Sequence, residues 1–132
     1  MKEPEWITRE ECLAIHEMML AQHGGLAGAR DETLLESALA KPQNLFAYAS
    51  PTHAEMAASY AAGIIHNHPF LDGNKRTGFM LAAVFLEVNG YVLTAAEESV
   101  VENTLAFAAG KLTEADYASW LNASSKKDRS KN

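Results

Sequence analysis

Cysteine is all but missing from this chain: Cys12 stands alone, so no intrachain disulfide can form and no cysteine cage for zinc can be built. In a helical stretch it reads as a packed or idle thiol. Positive charge is also scarce, with 11 Lys and Arg against 17 Asp and Glu and a formal net charge of -6. A protein that grips nucleic acid through many phosphates needs the opposite balance, so direct DNA binding is not expected and any phosphate site must be local. Long apolar runs are absent too. No stretch reaches the roughly 20 apolar residues of a membrane span, and the start MKEPEWITREE lacks the basic-then-apolar pattern of a secretory leader. The expectation is no membrane association and a cytoplasmic location. What remains is 132 residues, 48% of them hydrophobic, enough for one core and one domain. That domain is expected over 1–123, with 124–132 a disordered polar tail whose Lys126, Lys127, Arg129 and Lys131 serve solubility.

The apolar spacing is helical almost throughout. Thr8 and Glu11 stand at capping-box spacing and open a helix over 9–23 that Gly24 and Gly25 stop. Asp31 caps a second, which should end near Lys41 because Pro42 follows. Residues 43–51 show no helical period and read as a strand-like flap carrying Asn44, Phe46 and Tyr48. An alanine-rich helix from about His53 to His66 precedes a break at Pro69. A fourth helix from Asn74, apolar on every side, should lie in the middle of a bundle and end at Asn89 and Gly90. Tyr91 to Leu93 is an extended connector, and helices over 96–109 and 113–121 complete an all-α bundle of five to six helices.

The chemistry concentrates in the nine residues from His68 to Arg76, HPFLDGNKR. A Gly73-Asn74 turn opening a helix aims free N–H groups and the positive end of the helix dipole at one point, where a phosphate is stabilised. Lys75 supplies a point charge and Arg76 a forked one, suited to a polyphosphate. Asp72 can hold Mg²⁺, which takes few carboxylates together with phosphates and water. His68 can accept a proton from an incoming hydroxyl, the role an imidazole commonly fills. These parts suit in-line group transfer, in which positioning and charge stabilisation supply most of the rate.

At these residues the sequence resembles the Fic superfamily, whose motif reads His-Pro-Phe-x-Asp/Glu-Gly-Asn-Gly/Lys-Arg. Further likeness, at Gly24-Gly25, Arg30-Asp31, the helix from Leu34 to Ala40, residues 41–44 and residues 85–90, points to its death-on-curing (Doc) branch and extends over about 7–121. The resemblance implies a helical Fic fold and a toxin paired with an antitoxin acting in trans. It implies a kinase that places the γ-phosphate of ATP on a threonine of elongation factor Tu and halts translation. By the same resemblance His68 is the catalytic base, Asp72 the Mg²⁺ ligand, and Asn74, Lys75 and Arg76 the nucleotide-phosphate ligands. Family adenylyltransferases carry Gly where Lys75 stands and a second Arg where this chain has Phe79, which favours the Doc branch. Gly73 follows the wider family pattern, so protein adenylylation stays open as the second reading. Self-restrained relatives carry a Ser/Thr-x-x-x-Glu-Gly/Asn string. The nearest approach here, Thr94 to Glu98, continues with Ser99, which agrees with restraint by a second protein.

Plainer readings compete with each of these. His66, His68 and Asp72 have the spacing of a cupin metal site, but that site needs β-structure around it and the flanks are helical. His66 reads as a helix-end residue that packs or caps, and Asp72 could merely pair with Lys75 or Arg76 across the turn. Pro69 and Phe70 read as structural, fixing and anchoring the loop. Phe46 and Tyr48 fit a core cover as well as a peptide clamp, and His16, His23 and His53 read as surface or helix-face residues. A catalytically silent, partner-binding helical module is the reading from another class.

Overall fold

The computed structural model describes residues 2–130. Six helices run in the order α1 (Arg9–His23), α2 (Glu32–Tyr48), α3 (His53–Asn67), α4 (Asn74–Val88), α5 (Glu97–Ala108) and α6 (Glu114–Ala123). A two-stranded antiparallel sheet joins β1 (Tyr91–Leu93) to β2 (Ser125–Lys127), with Tyr91 opposite Lys127. No helix among the described residues is long and apolar enough to cross a membrane.

The helix starts follow from side chains that satisfy the first free N–H groups. Thr8, Thr52 and Thr113 each form a complete capping box, with Glu11, Glu55 and Asp116 respectively, and Asp31 accepts from Leu34 N. Helix α3 is the centre of the bundle. Every residue from Met56 to Ile65 is buried, and it packs against α2, α4 and α6. Its alanines keep it thin enough to be surrounded. The expectation that α4 lies in the middle is therefore corrected: α4 buries Leu81, Ala82, Phe85 and Leu86 but leaves Val88 exposed and Phe79 and Met80 half-buried.

Two further expectations are overturned. Helix α2 does not end at Lys41 but runs through Pro42 to Tyr48, so residues 43–48 form no strand-like flap. An interior proline removes one backbone bond and clashes with the preceding turn, at a cost of about 3 kcal/mol. Here Leu35, Ala38, Leu39 and Pro42 are buried on one stripe, and Leu45 and Phe46 continue it onto the core, Phe46 meeting Trp6 edge-on at 5.8 Å. That packing outweighs the loss. Nor is the tail wholly without structure: Ser125–Lys127 form β2, and the rest of the tail to residue 130 is turn or coil. Lys131 and Asn132, also assigned to a disordered tail, lie outside the described residues.

The sheet brings Lys127 toward His53, whose ring sits 5.1 Å from that of Tyr91 and 6.4 Å from that of Phe85. Burial first, and the Lys127 charge second, lower its pKa below the ordinary 6.5. The unfolded chain then binds the proton more readily than the folded one, so stability is full above the unfolded value and is lost as pH falls through it. Between about pH 7.5 and 5.5 the native chain should lose unfolding free energy faster than His53→Gln. Denaturant titrations at each pH measure this, and parallel curves for the two proteins would remove His53 as the cause.

Candidate active site

Helix α3 ends on His68, which caps it with φ 51° and ψ 58°, the one non-glycine residue in the left-handed region among those described. Such a conformation in a residue with a Cβ must be held by its surroundings. Arg30 holds it, its guanidinium donating through Nε to the His68 carbonyl at 2.7 Å and through an η nitrogen to the Asn67 carbonyl at 2.8 Å. These are carbonyls a helix leaves unpaired at its C-terminus, where a positive charge is also favoured by the dipole. The backbone completes the clamp. Pro69 O accepts from Arg30 N and Asp31 N, Leu71 N donates to Gly28 O, and Ala29 and Phe70 form an antiparallel bridge. The His68 ring itself is solvent-exposed and makes no hydrogen bond among the described residues.

Asp72 is oriented from the Gly24-Gly25 turn. Leu26 N donates to its Oδ2 at 2.8 Å, and the turn can approach this closely only because Gly25, at φ 124°, has no Cβ: one built there would stand 3.0 Å from the Asp72 Cβ. Among the described residues Asp72 forms no ion pair with Lys75 or Arg76, so the plain structural reading of that carboxylate does not hold. Phe70 is buried in the core, as an anchor should be. Asn74 locks to it, accepting from Phe70 N at 3.1 Å and donating to Phe70 O at 3.0 Å. The Asn74 side chain is thus spent on the loop, and only its main-chain N–H is left for an anion.

Helix α4 begins without a lid. Its N-cap is Gly73 (φ 78°, ψ 16°), with no side-chain cap and no acid in the first turn. The N–H groups of Asn74, Lys75 and Arg76 belong to that first turn, and the Lys75 and Arg76 side chains are exposed beside them. His68, Asp72, Gly73, Asn74, Lys75 and Arg76 all line one cleft of ≈ 760 Å³. Its far wall comes from α5, through Glu97, Val100, Val101, Thr104 and Leu105. The arrangement offers an unbonded imidazole, an oriented carboxylate and a cationic, anion-accepting helix end within one cavity.

Among the described residues no group of three or more His, Cys, Asp or Glu is gathered as a metal cage. Mg²⁺ does not need one, since a single carboxylate with substrate phosphates and water is its usual setting. Asp72, with Oδ2 engaged by Leu26 and its other oxygen without a partner among the described residues, fits that role.

The six motif residues expected from the sequence are therefore together, whereas Asn44, Phe46 and Tyr48 do not line the cleft. Tyr48, the last residue of α2, is 90% exposed. His66 packs on Phe107, its Nε2 3.1 Å from that residue's carbonyl. His16, expected on a surface or a helix face, lies on the inward face of α1, buried beneath the loop. The α5 wall carries no motif that sequence reasoning could have found.

The sequence pattern described as the Fic/DOC family matches residues 6–86. A protein named "Protein kinase doc" from Escherichia phage P1 is 31% identical over 116 residues, spanning 87% of this chain and 91% of its own length. "Toxin Doc" of Mycolicibacterium smegmatis (strain ATCC 700084 / mc(2)155) is 36% identical over 95 residues, 69% of either chain.

Proposed function

The chain belongs to the Fic/DOC family, and from that premise we propose that it is the toxin of a type II toxin–antitoxin pair and acts as a protein kinase. It moves the γ-phosphate of ATP to a threonine hydroxyl of a translation protein, elongation factor Tu by resemblance, and so arrests growth in the cytoplasm. The names of the two relatives support both halves of this reading, one being called a kinase and the other a toxin. The observation that carries it is the single cleft in which an unbonded His68, on a left-handed cap, meets the uncapped first turn of α4 with Lys75 and Arg76.

In the proposed reaction the first-turn N–H groups and the two cations hold the polyphosphate, and Lys75 adds a charge where an adenylyltransferase offers bare backbone. The threonine hydroxyl, entering the cleft beside His68, forms the new O–P bond at the γ-phosphorus. The bond from that phosphorus to the β–γ bridging oxygen breaks, ADP departs, and the hydroxyl proton passes to the imidazole. Asp72 would hold Mg²⁺, which supplies charge neutralisation at the phosphate oxygens when bound. Restraint comes from the antitoxin in trans.

The test is incubation of the purified protein with bacterial lysate, Mg²⁺ and either γ-³²P-ATP or α-³²P-ATP. Label from γ alone, on a band at the mass of elongation factor Tu and dependent on His68, is the expected result. Label from α would make the protein an adenylyltransferase. Growth arrest without His68-dependent label from either would leave a silent binding module.

A further inference from the structure

His16 lies on α1, 3% exposed, with its ring stacked on Phe70 at a centroid distance of 3.7 Å and an interplanar angle of 9°. Its Nε2 stands 2.8 Å from the backbone carbonyl of Asp72. A carbonyl oxygen only accepts, so Nε2 carries the proton and the tautomer is fixed by the contact itself. The same ring reaches Gly73: a Cβ built there would lie 3.7 Å from His16 Cδ2 and Nε2. One buried side chain therefore packs on the loop's aromatic anchor, bonds the carbonyl of its acid and lies beside the glycine that opens α4.

We propose that His16 is a positioning residue of the transfer site, setting the step from Asp72 to Gly73 from the buried side. The purpose of this role rests on the kinase reading, and its existence on geometry alone. Three tethers hold that step. Leu26 N fixes the Asp72 carboxylate, Asn74 fixes the loop's own turn through Phe70, and His16 fixes the peptide between them. The first acts between two exposed turns, and the second is buried and ties the loop to the start of α4. His16 refers the Asp72 carbonyl to α1, so its donor decides how the oriented carboxylate lies relative to the first turn of α4. His16 touches none of the cleft's contents, since it is absent from the lining residues.

The test compares His16→Leu, which keeps bulk without a donor, with His16→Gln, whose amide nitrogen reaches about as far as Nε2. Amide hydrogen exchange on the nucleotide-free protein is the primary reading. In His16→Leu the amides of Leu26 and Leu71, which bond to Asp72 Oδ2 and Gly28 O, should exchange about 10-fold faster, while those of Ile64 and Ile65 in α3 stay as in the native chain. His16→Gln should restore the native pattern at both loop amides. In the γ-label assay His16→Leu should also raise the half-saturating Mg²⁺ concentration severalfold, a shift that a smaller folded fraction does not produce. Native exchange at Leu26 and Leu71 in His16→Leu, or acceleration spread equally through α3, overturns the proposal. Should His16→Leu fail to fold, His16→Gln decides: native exchange at the two amides supports the role and fast exchange there refutes it. Because exchange needs no nucleotide, loss of the kinase reading in the labelling experiment and loss of this one are separate outcomes.

Discussion

Alanine in place of His68 should lower the rate of phosphoryl transfer by about 10²–10⁴-fold, the contribution of a positioned general base, and leave the KM for ATP within about threefold of its native value. The split follows from the geometry. On the proposed reading the polyphosphate lies at the first turn of α4 with Lys75 and Arg76, none of which depends on the imidazole, so ground-state binding should survive while proton removal fails. His68→Gly should give the same loss of activity with the opposite effect on the fold. The residue sits at φ 51° with its ring exposed and unbonded, so glycine sacrifices no side-chain bond and is free of the left-handed penalty. A stability gain of about 0.5–1 kcal/mol is expected, less what glycine's greater freedom in the unfolded chain takes back. Initial rates across ATP concentrations, paired with denaturant unfolding, check both halves. A His68→Ala enzyme with unchanged turnover would remove the base assignment. Glycine that destabilised as much as a lost core contact would show the cap to be unstrained.

The site was far more legible in the sequence than its supports were. HPFLDGNKR is contiguous, so its residue types could be weighed together, and the structure does place all six of its assigned residues around one cleft. The starts of α1 and α2 were legible for the same local reason, since Thr8 with Glu11, and Asp31, stand within a few residues of the N–H groups they satisfy. The failures came where a distant contact overrules a local rule. Pro42 is locally a stop, yet Leu35, Ala38, Leu39, Pro42, Leu45 and Phe46 keep helical spacing across it. That stripe was in the sequence. What was not is the core behind it. His16 carries no ligand pattern because its partners, Phe70 and Asp72, come from a loop whose path only the fold defines. Likewise Gly24 and Gly25 read as a helix stop, and the second task of Gly25, letting Leu26 N reach Asp72, needs the turn's position in space.

Gly63→Ala should be the most damaging single methyl in the core. In a helix interior that change ordinarily stabilises by roughly 0.5–1 kcal/mol through propensity, and the sign here is reversed by one contact. A Cβ at position 63 would lie 2.7 Å from the Ala38 Cβ, 2.8 Å from its Cα and 3.3 Å from its carbonyl oxygen. Two of those atoms are backbone, so no rotamer relieves the clash and α2 must move off α3. Overpacking of this kind costs typically 1–3 kcal/mol, an expected fall in Tm of several degrees. Gly78→Ala is the informative contrast, because its two nearest atoms belong to a side chain, Ile65 Cγ1 at 2.6 Å and Cδ1 at 3.1 Å, with the Ala61 carbonyl oxygen at 3.2 Å; the clash falls first on a side chain, and the loss should be smaller. Ala38→Gly in the Gly63→Ala background should restore only part of the stability, since it removes the Cβ contact and leaves the Cα one. Full restoration would show that the backbone does not limit the approach. The damage should also reach the cleft. Asp31, the cap of α2, follows directly on Arg30, whose guanidinium holds His68 in its left-handed turn. A displaced α2 therefore loosens the His68 cap, and on the proposed reading specific activity per folded molecule should fall in Gly63→Ala but recover in step with stability when Ala38→Gly is added.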